Sequence, residues 1–238
     1  MADDTTSATR RLYRRIRSRL PGARPRNYHR DPAGYWERRH ANFGEQLDGV
    51  GRIGLGEEAN RRDYEVKWNH LRQALIDVGV GPCAFLDAGC GIGWFSEHLQ
   101  ADGYTPTGVD FSPTAVEIAR RHLGDDLVVV SSLDGYRAGR TFELVICIDV
   151  LFHLVDDEVW RATVANLADH VGQGGHLAIQ ESLVEQAAEV GPSTGHHTRW
   201  RSLASYTAAL PDWELVLHDH YELSAERVDK DLLVFARP

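Results

Sequence analysis

Lysine is nearly absent from this 238-residue chain: Lys67 and Lys230 are the only two, and arginine carries the rest of the positive charge. Cysteine is also scarce. Cys83, Cys90 and Cys147 are odd in number and form no CxxC pair, which argues against a disulfide framework or a structural zinc site. They fall in predicted strands or the turn after one, as reduced core thiols do. No apolar run approaches the roughly 18 to 20 residues that span a bilayer, and the opening "MADDTTSATRR" lacks the apolar centre of a secretion signal. The expectation is a soluble, cytoplasmic protein with no transmembrane segment. Its length suits one well-buried domain plus a peripheral element.

Charge is distributed unevenly. Residues 1–39 hold eleven arginines against four acids, whereas the whole chain carries a net charge of −9. In "TRRLYRRIRSRL" the residues Leu12, Ile16 and Leu20 recur at helical spacing among arginines, so residues 1–27 read as a basic extension. Such a segment suits a membrane surface, a nucleic acid or the acidic body of its own chain, and a loosely packed tail is the plainer alternative. An acidic remainder offers no broad cationic footprint, so nucleic acid ranks low as a partner. A homodimer stays open.

From about residue 83, short aliphatic runs alternate with helical patterns, the signature of a parallel sheet wrapped by helices. Seven strands are expected: Cys83 to Ala88, Thr105 to Asp110, Leu127 to Ser131, Leu144 to Asp149, His176 to Glu181, Trp213 to Tyr221 and Leu232 to Arg237. Ser112 before Pro113 reads as a helix N-cap, with Gly124 as the stop, and Asp157 to His170 forms a second helical pattern with the glycine-rich "VGQGGH" after it. The last two strands, joined by the polar "SAERVDK", should form an antiparallel hairpin. Residues 28–80 read as a helical, aromatic-rich cap, and residues 81–238 as the main α/β domain.

The stretch "FLDAGCGIGWFS", Phe85 to Ser96, is a strand running into a glycine-rich turn. A dinucleotide site needs G-x-G-x-x-G, and here Trp94 occupies the third glycine's place. Asp87, just ahead of the turn, would repel a diphosphate and attract an ammonium group; the ligand's own carboxylate could then use the helix N-terminus. An amino-acid-like nucleoside meets both demands. Asp110 lies 21 residues after Gly89, the spacing at which an acid takes hydrogen bonds from ribose hydroxyls.

These motifs, with "GVDFS" and the seven-strand pattern, resemble the class I S-adenosylmethionine-dependent methyltransferases over roughly residues 80–238. The resemblance implies a Rossmann-like, mostly parallel seven-stranded sheet with helices on both faces, and turnover of S-adenosylmethionine to S-adenosylhomocysteine. It also implies that Asp87, Gly89, Cys90 and Gly91 line the methionine end, that Asp110 holds the ribose and that Phe111 flanks the adenine. An acid is common after the third strand in this family; the matching "VVSSLDG" is read as offering Ser131, Ser132 and Leu133, with Ser132 and the backbone of Leu133 touching adenine.

"DVLFHLVDD" after the fourth strand resembles the small-molecule branch of the family. The Asn/Asp-Pro-Pro-Tyr/Phe motif of nitrogen methylation is missing. A Lys-Asp-Lys-Glu tetrad, as in many RNA ribose methyltransferases, is hard to build from two lysines. His153 is the candidate general base, or else it orders its loop. Asp149 is expected at the cofactor, although bracing backbone amides or touching the acceptor fits equally. In "GHHTRWRS", His196, His197 and Arg199 are candidates for acceptor binding, as are Tyr64 and Trp36, against a solvated loop and plain core packing respectively. No metal is expected. The function expected is methylation of a small-molecule acceptor, at oxygen because His153 could serve a hydroxyl, in natural-product or secondary metabolism. The rivals are a protein or RNA methyltransferase docking through its arginine-rich head, and a non-catalytic cofactor-binding scaffold.

Overall fold

In the computed structural model, which describes residues 31–185, 198–223 and 227–238, the aliphatic runs pair into one seven-stranded sheet. Its strands are β1 (Ala84–Ala88), β2 (Thr105–Asp110), β3 (Val128–Val130), β4 (Phe142–Ile148), β5 (Val171–Glu181), β6 (Glu214–Leu223) and β7 (Val228–Ala236). Their spatial order is β3-β2-β1-β4-β5-β7-β6. The first five strands are parallel, while β7 runs antiparallel to both β5 and β6. The expected α/β architecture with its C-terminal hairpin is therefore present. The chain steps outward from β1 to β3 and then returns to lay β4 beside β1. That reversal leaves a crevice at the carboxyl ends of β1 and β4, where open α/β sheets bind ligands.

Among the described residues six α-helices accompany the sheet: α1 (Pro32–Phe43), α2 (Glu57–Asp77), α3 (Trp94–Ala101), α4 (Pro113–Leu123), α5 (Asp157–His170) and α6 (Leu203–Ala209). Strand alternation divides the core between the two faces. Leu144 and Ile146 of β4 point towards Leu71 and Leu75 of α2 and Leu99 of α3. Val145 and Cys147 point the other way, towards Trp160, Val164 and Leu167 of α5. Helix ends follow the local chemistry: Ser112 accepts the Ala115 N–H, Asp156 accepts those of Glu158 and Val159, and Asp31 caps α1.

Two strands begin four or five residues earlier than the sequence reading places them, while the other strand ends shift by at most two. β5 begins at Val171, directly after α5, so the glycines that follow the helical pattern lie inside a strand. A Cβ at Gly175 would come 2.8 Å from the Glu143 carbonyl oxygen, and the β4–β5 register shifts between Phe142 and Leu144; glycine permits this close, irregular pairing. β7 begins at Val228, which moves Lys230 from the presumed loop onto the ladder opposite Tyr221. Residues 1–27, read as a basic extension, lie outside the described residues. Among those described, no helix is long and apolar enough to cross a membrane.

Candidate active site

The crevice opens into a cleft lined by residues of the glycine turn, the ends of β2 and β4, and α1. At its base the turn after β1 is held to β2, because Gly89 and Cys90 both donate their N–H groups to the Val109 carbonyl, at 2.8 and 3.0 Å. Gly89 has φ +80°, and a Cβ there would lie 2.5 Å from a Val150 methyl. Only glycine combines that conformation with that approach. Gly93, also left-handed, faces Ala119 and Leu123 of α4, so it performs the helix-packing task of a third glycine one position early. Trp94 then starts α3, stacked on His98 at 3.8 Å and edge-on to Tyr64 at 5.2 Å.

Asp110 closes β2 on the cleft wall. Its carboxylate accepts the Gly91 N–H at 3.0 Å and the Ser112 N–H at 2.9 Å, fixing the glycine turn and the start of α4 together. Burial pushes its carboxyl up to about 6, against the pull of those two amides. Asp87, expected to line the methionine end, is buried near the end of β1 and is not among the residues that line the cleft. It accepts the Ser96 hydroxyl at 2.7 Å, and burial pushes it up to about 7. Gly89, Cys90, Gly91, Phe111, Ser132 and Leu133 all line the cleft.

Asp134 lines the cleft beside Ser132 and Leu133 and was missed in the sequence reading, which stopped one residue short of the acid in "VVSSLDG". Asn166 of α5 braces this loop, donating to the carbonyl oxygens of Leu133 and Tyr136. The Leu133 carbonyl is therefore already engaged.

Trp36, Tyr64 and His153 also line the cleft. His153, in a short 3₁₀ turn (Leu151–His153), stands edge-on to Trp36 with ring centroids 4.8 Å apart. Trp36 reaches it because Glu37, the next residue on α1, accepts the Ser112 hydroxyl at 2.6 Å and the Thr114 hydroxyl at 2.5 Å, docking α1 on the start of α4. His40, one turn after Trp36, also lines the cleft and was not singled out from sequence. Burial, then the neighbouring Arg39, lower it to about 4, so it is neutral at physiological pH.

Asp149 follows β4 at φ +57°, an unusual conformation for a non-glycine residue. Lys67 of α2 donates to one carboxylate oxygen at 2.6 Å and Lys230 of β7 donates to the other. The two ammonium groups hold the Asp149 carboxyl far below the usual range despite its burial. Glu181, at the end of β5, lies within electrostatic reach of Asp149 and Lys230; burial and then the Asp149 charge raise it to about 8. Lys67, Asp149, Lys230 and Glu181 thus come together where β4, β5 and β7 meet α2, a grouping that read as hard to build from two lysines. The missed signal was their rarity.

Arg199 does not line the cleft: its guanidinium pairs with Asp157 at 2.7 Å and its N–H donates to the Phe152 carbonyl. His196 and His197 lie outside the described residues. Among the described residues no group of three or more His, Cys, Asp or Glu is placed to hold a metal ion.

A family model described as a methyltransferase domain matches residues 10–224. Nodulation protein S of Rhizobium tropici is 29% identical over 133 residues, covering 54% of this chain and 56% of that protein. The mitochondrial ubiquinone biosynthesis O-methyltransferase of Schizosaccharomyces pombe is 35% identical over 101 residues, covering 40% and 36%. The chain spans about half the length of these curated relatives, or less. Magnesium protoporphyrin IX methyltransferase of Synechocystis PCC 6803, solved with bound S-adenosylmethionine, superimposes with TM-score 0.68 at 18% identity, over 87% of this chain and 95% of that one. N-methyltransferase NodS of Bradyrhizobium japonicum WM9 with S-adenosylhomocysteine gives 0.62 at 20% identity, over 84% and 98%. The chain belongs to the class I S-adenosylmethionine-dependent methyltransferases.

Proposed function

We propose that this chain methylates a hydroxyl of a small-molecule acceptor, with His153 as the general base, in natural-product or secondary metabolism. One observation carries the reading: the glycine turn and His153 line one and the same cleft. The ubiquinone O-methyltransferases among the relatives support oxygen as the acceptor atom.

The residues present fit the methyl donor. A Cβ at Gly89 would close the turn against Val150, so the turn keeps open the space that a nucleoside with an amino-acid tail requires. Asp110 would take the ribose, Phe111 and Leu133 the faces of the adenine, and Ser132 with Asp134 its polar edge. Asp87 would act as a buried charge that favours the ligand's ammonium group. When bound, S-adenosylmethionine supplies a methyl group already activated by a sulfonium. The chain's own work is then alignment, exclusion of water by Trp36 and Tyr64, and removal of the hydroxyl proton by His153.

A screen of hydroxylated metabolites with labelled methyl donor tests the reaction class. On the acceptor so found, His153→Ala should lower kcat by about 10²-fold or more and leave S-adenosylhomocysteine affinity nearly unchanged. Undiminished turnover would remove His153 as the base.

A further inference from the structure

Glu181 is the last residue of β5 and is 1% exposed. The rung before it joins the neighbouring strand: Gln180 lies opposite Ile148, and its carbonyl accepts the Asp149 N–H at 3.0 Å. The sheet therefore places Glu181 beside the chain that leaves β4. There its two carboxylate oxygens accept one amide each. Oε1 takes the Leu151 N–H and Oε2 the Phe152 N–H, both at 2.9 Å.

Those amides open the 3₁₀ turn that ends at His153, and its N-cap residue, Val150, makes no side-chain cap. The first N–H groups of a helical turn find no partner within it, so an outside acceptor is needed. Glu181 supplies both, from 30 and 29 residues away. The turn's own bonds, His153 N–H to the Val150 carbonyl and Leu154 N–H to that of Leu151, tie it only to itself. Phe152 is thus held at its N–H by Glu181 and at its carbonyl by the Arg199 N–H, and His153 is the next residue.

Only an ionised carboxylate offers two acceptors; a protonated carboxyl, like an amide, turns a donor on one of the two N–H groups. Burial, then the Asp149 charge, push Glu181 up to about 8, against the pull of Lys230 and the two amides. The buried Tyr206 of α6 and Cys147 of β4 also feel its charge, and Asp231 lies opposite it on the antiparallel ladder. Completion of the clamp therefore falls within the working range of pH.

We propose that Glu181 is a positioning residue, whose carboxylate holds the turn carrying His153 so that the imidazole is aimed at the acceptor hydroxyl only while both amide bonds are made. This role rests on His153 being the base, and the test separates the two.

The full chain is labelled at histidine and saturated with S-adenosylhomocysteine, and the His153 ring resonances are identified by their loss in His153→Ala. In the wild type they should show a second inflection at about pH 8. Glu181→Gln should remove that inflection and speed amide exchange at Leu151 and Phe152 about tenfold or more. On the acceptor found with labelled methyl donor, it should lower kcat about tenfold and leave the KM for S-adenosylmethionine within about twofold. Added to His153→Ala, it should slow turnover by less than about twofold further, because no base remains to be placed. Ring resonances and amide exchange unchanged by Glu181→Gln, or an equal loss of kcat in both backgrounds, overturn the positioning role. Undiminished turnover by His153→Ala instead overturns the reading of His153 as base. Should Glu181→Gln fail to fold, the wild-type titration decides, and a single inflection overturns the proposal.

Discussion

Asp87 and Asp110 are buried acids whose carboxyls sit at about 7 and about 6, above the 3.8 of an ordinary aspartate. The folded chain therefore binds these protons more tightly than the unfolded chain, and their contribution to stability is full below about pH 4 and declines as pH rises towards 7. Asp87→Asn should accordingly raise the melting temperature of the ligand-free protein more at about pH 8 than at about pH 5, measured by thermal unfolding at both. Ligand binding should move oppositely. An ammonium-bearing donor needs Asp87 ionised, so its affinity should rise with pH through about 7, and Asp87→Asn should flatten that profile. A profile unchanged by the substitution would separate Asp87 from the ligand. Asp110→Ala removes the acceptor of two backbone amides, and Asp134→Ala an acid on the adenine side; each should weaken S-adenosylhomocysteine binding about 10-fold or more by calorimetry. None of the pKa shifts is legible in sequence, because each arises from burial by residues far away in the chain.

At the scale of elements, the cleft exists because α1 is docked. Glu37 contributes three hydrogen bonds to Ser112 and Thr114 at the start of α4, and thereby carries Trp36 and His40 onto the wall. Glu37→Ala should cost about 1 to 2 kcal/mol of stability, and should raise hydrogen exchange in Pro32–Phe43 well above that in the strands. Equal protection of α1 in both proteins would show that its apolar contacts suffice. The cap at Ser112 was legible from sequence, since serine before proline is a local signal. Its partner Glu37 was not, because the pair is 75 residues apart. β5 shows the converse case: "VGQGGH" carries a local stop signal, and pairing with β4 overrides it.

For the whole molecule, a ligand that binds the folded chain alone must stabilise it. S-adenosylhomocysteine at about 100 times its Kd should add about 2.7 kcal/mol and raise the melting temperature by several degrees; no shift would contradict the cofactor assignment. Sequence by itself determined the sheet and the methyl-donor turn of this protein, because strand alternation, a left-handed glycine turn and the spacing from Gly89 to Asp110 are local properties of the chain. Only the tertiary structure decided that Asp87 is buried against Ser96, that Asp134 joins the cleft lining, and that Arg199 is committed to Asp157. It also decided where the two lysines go. One arrives on a helix before the first strand and the other on the last strand, and nothing in either local sequence refers to Asp149; they meet there because the sheet lays β4, β5 and β7 side by side beneath α2.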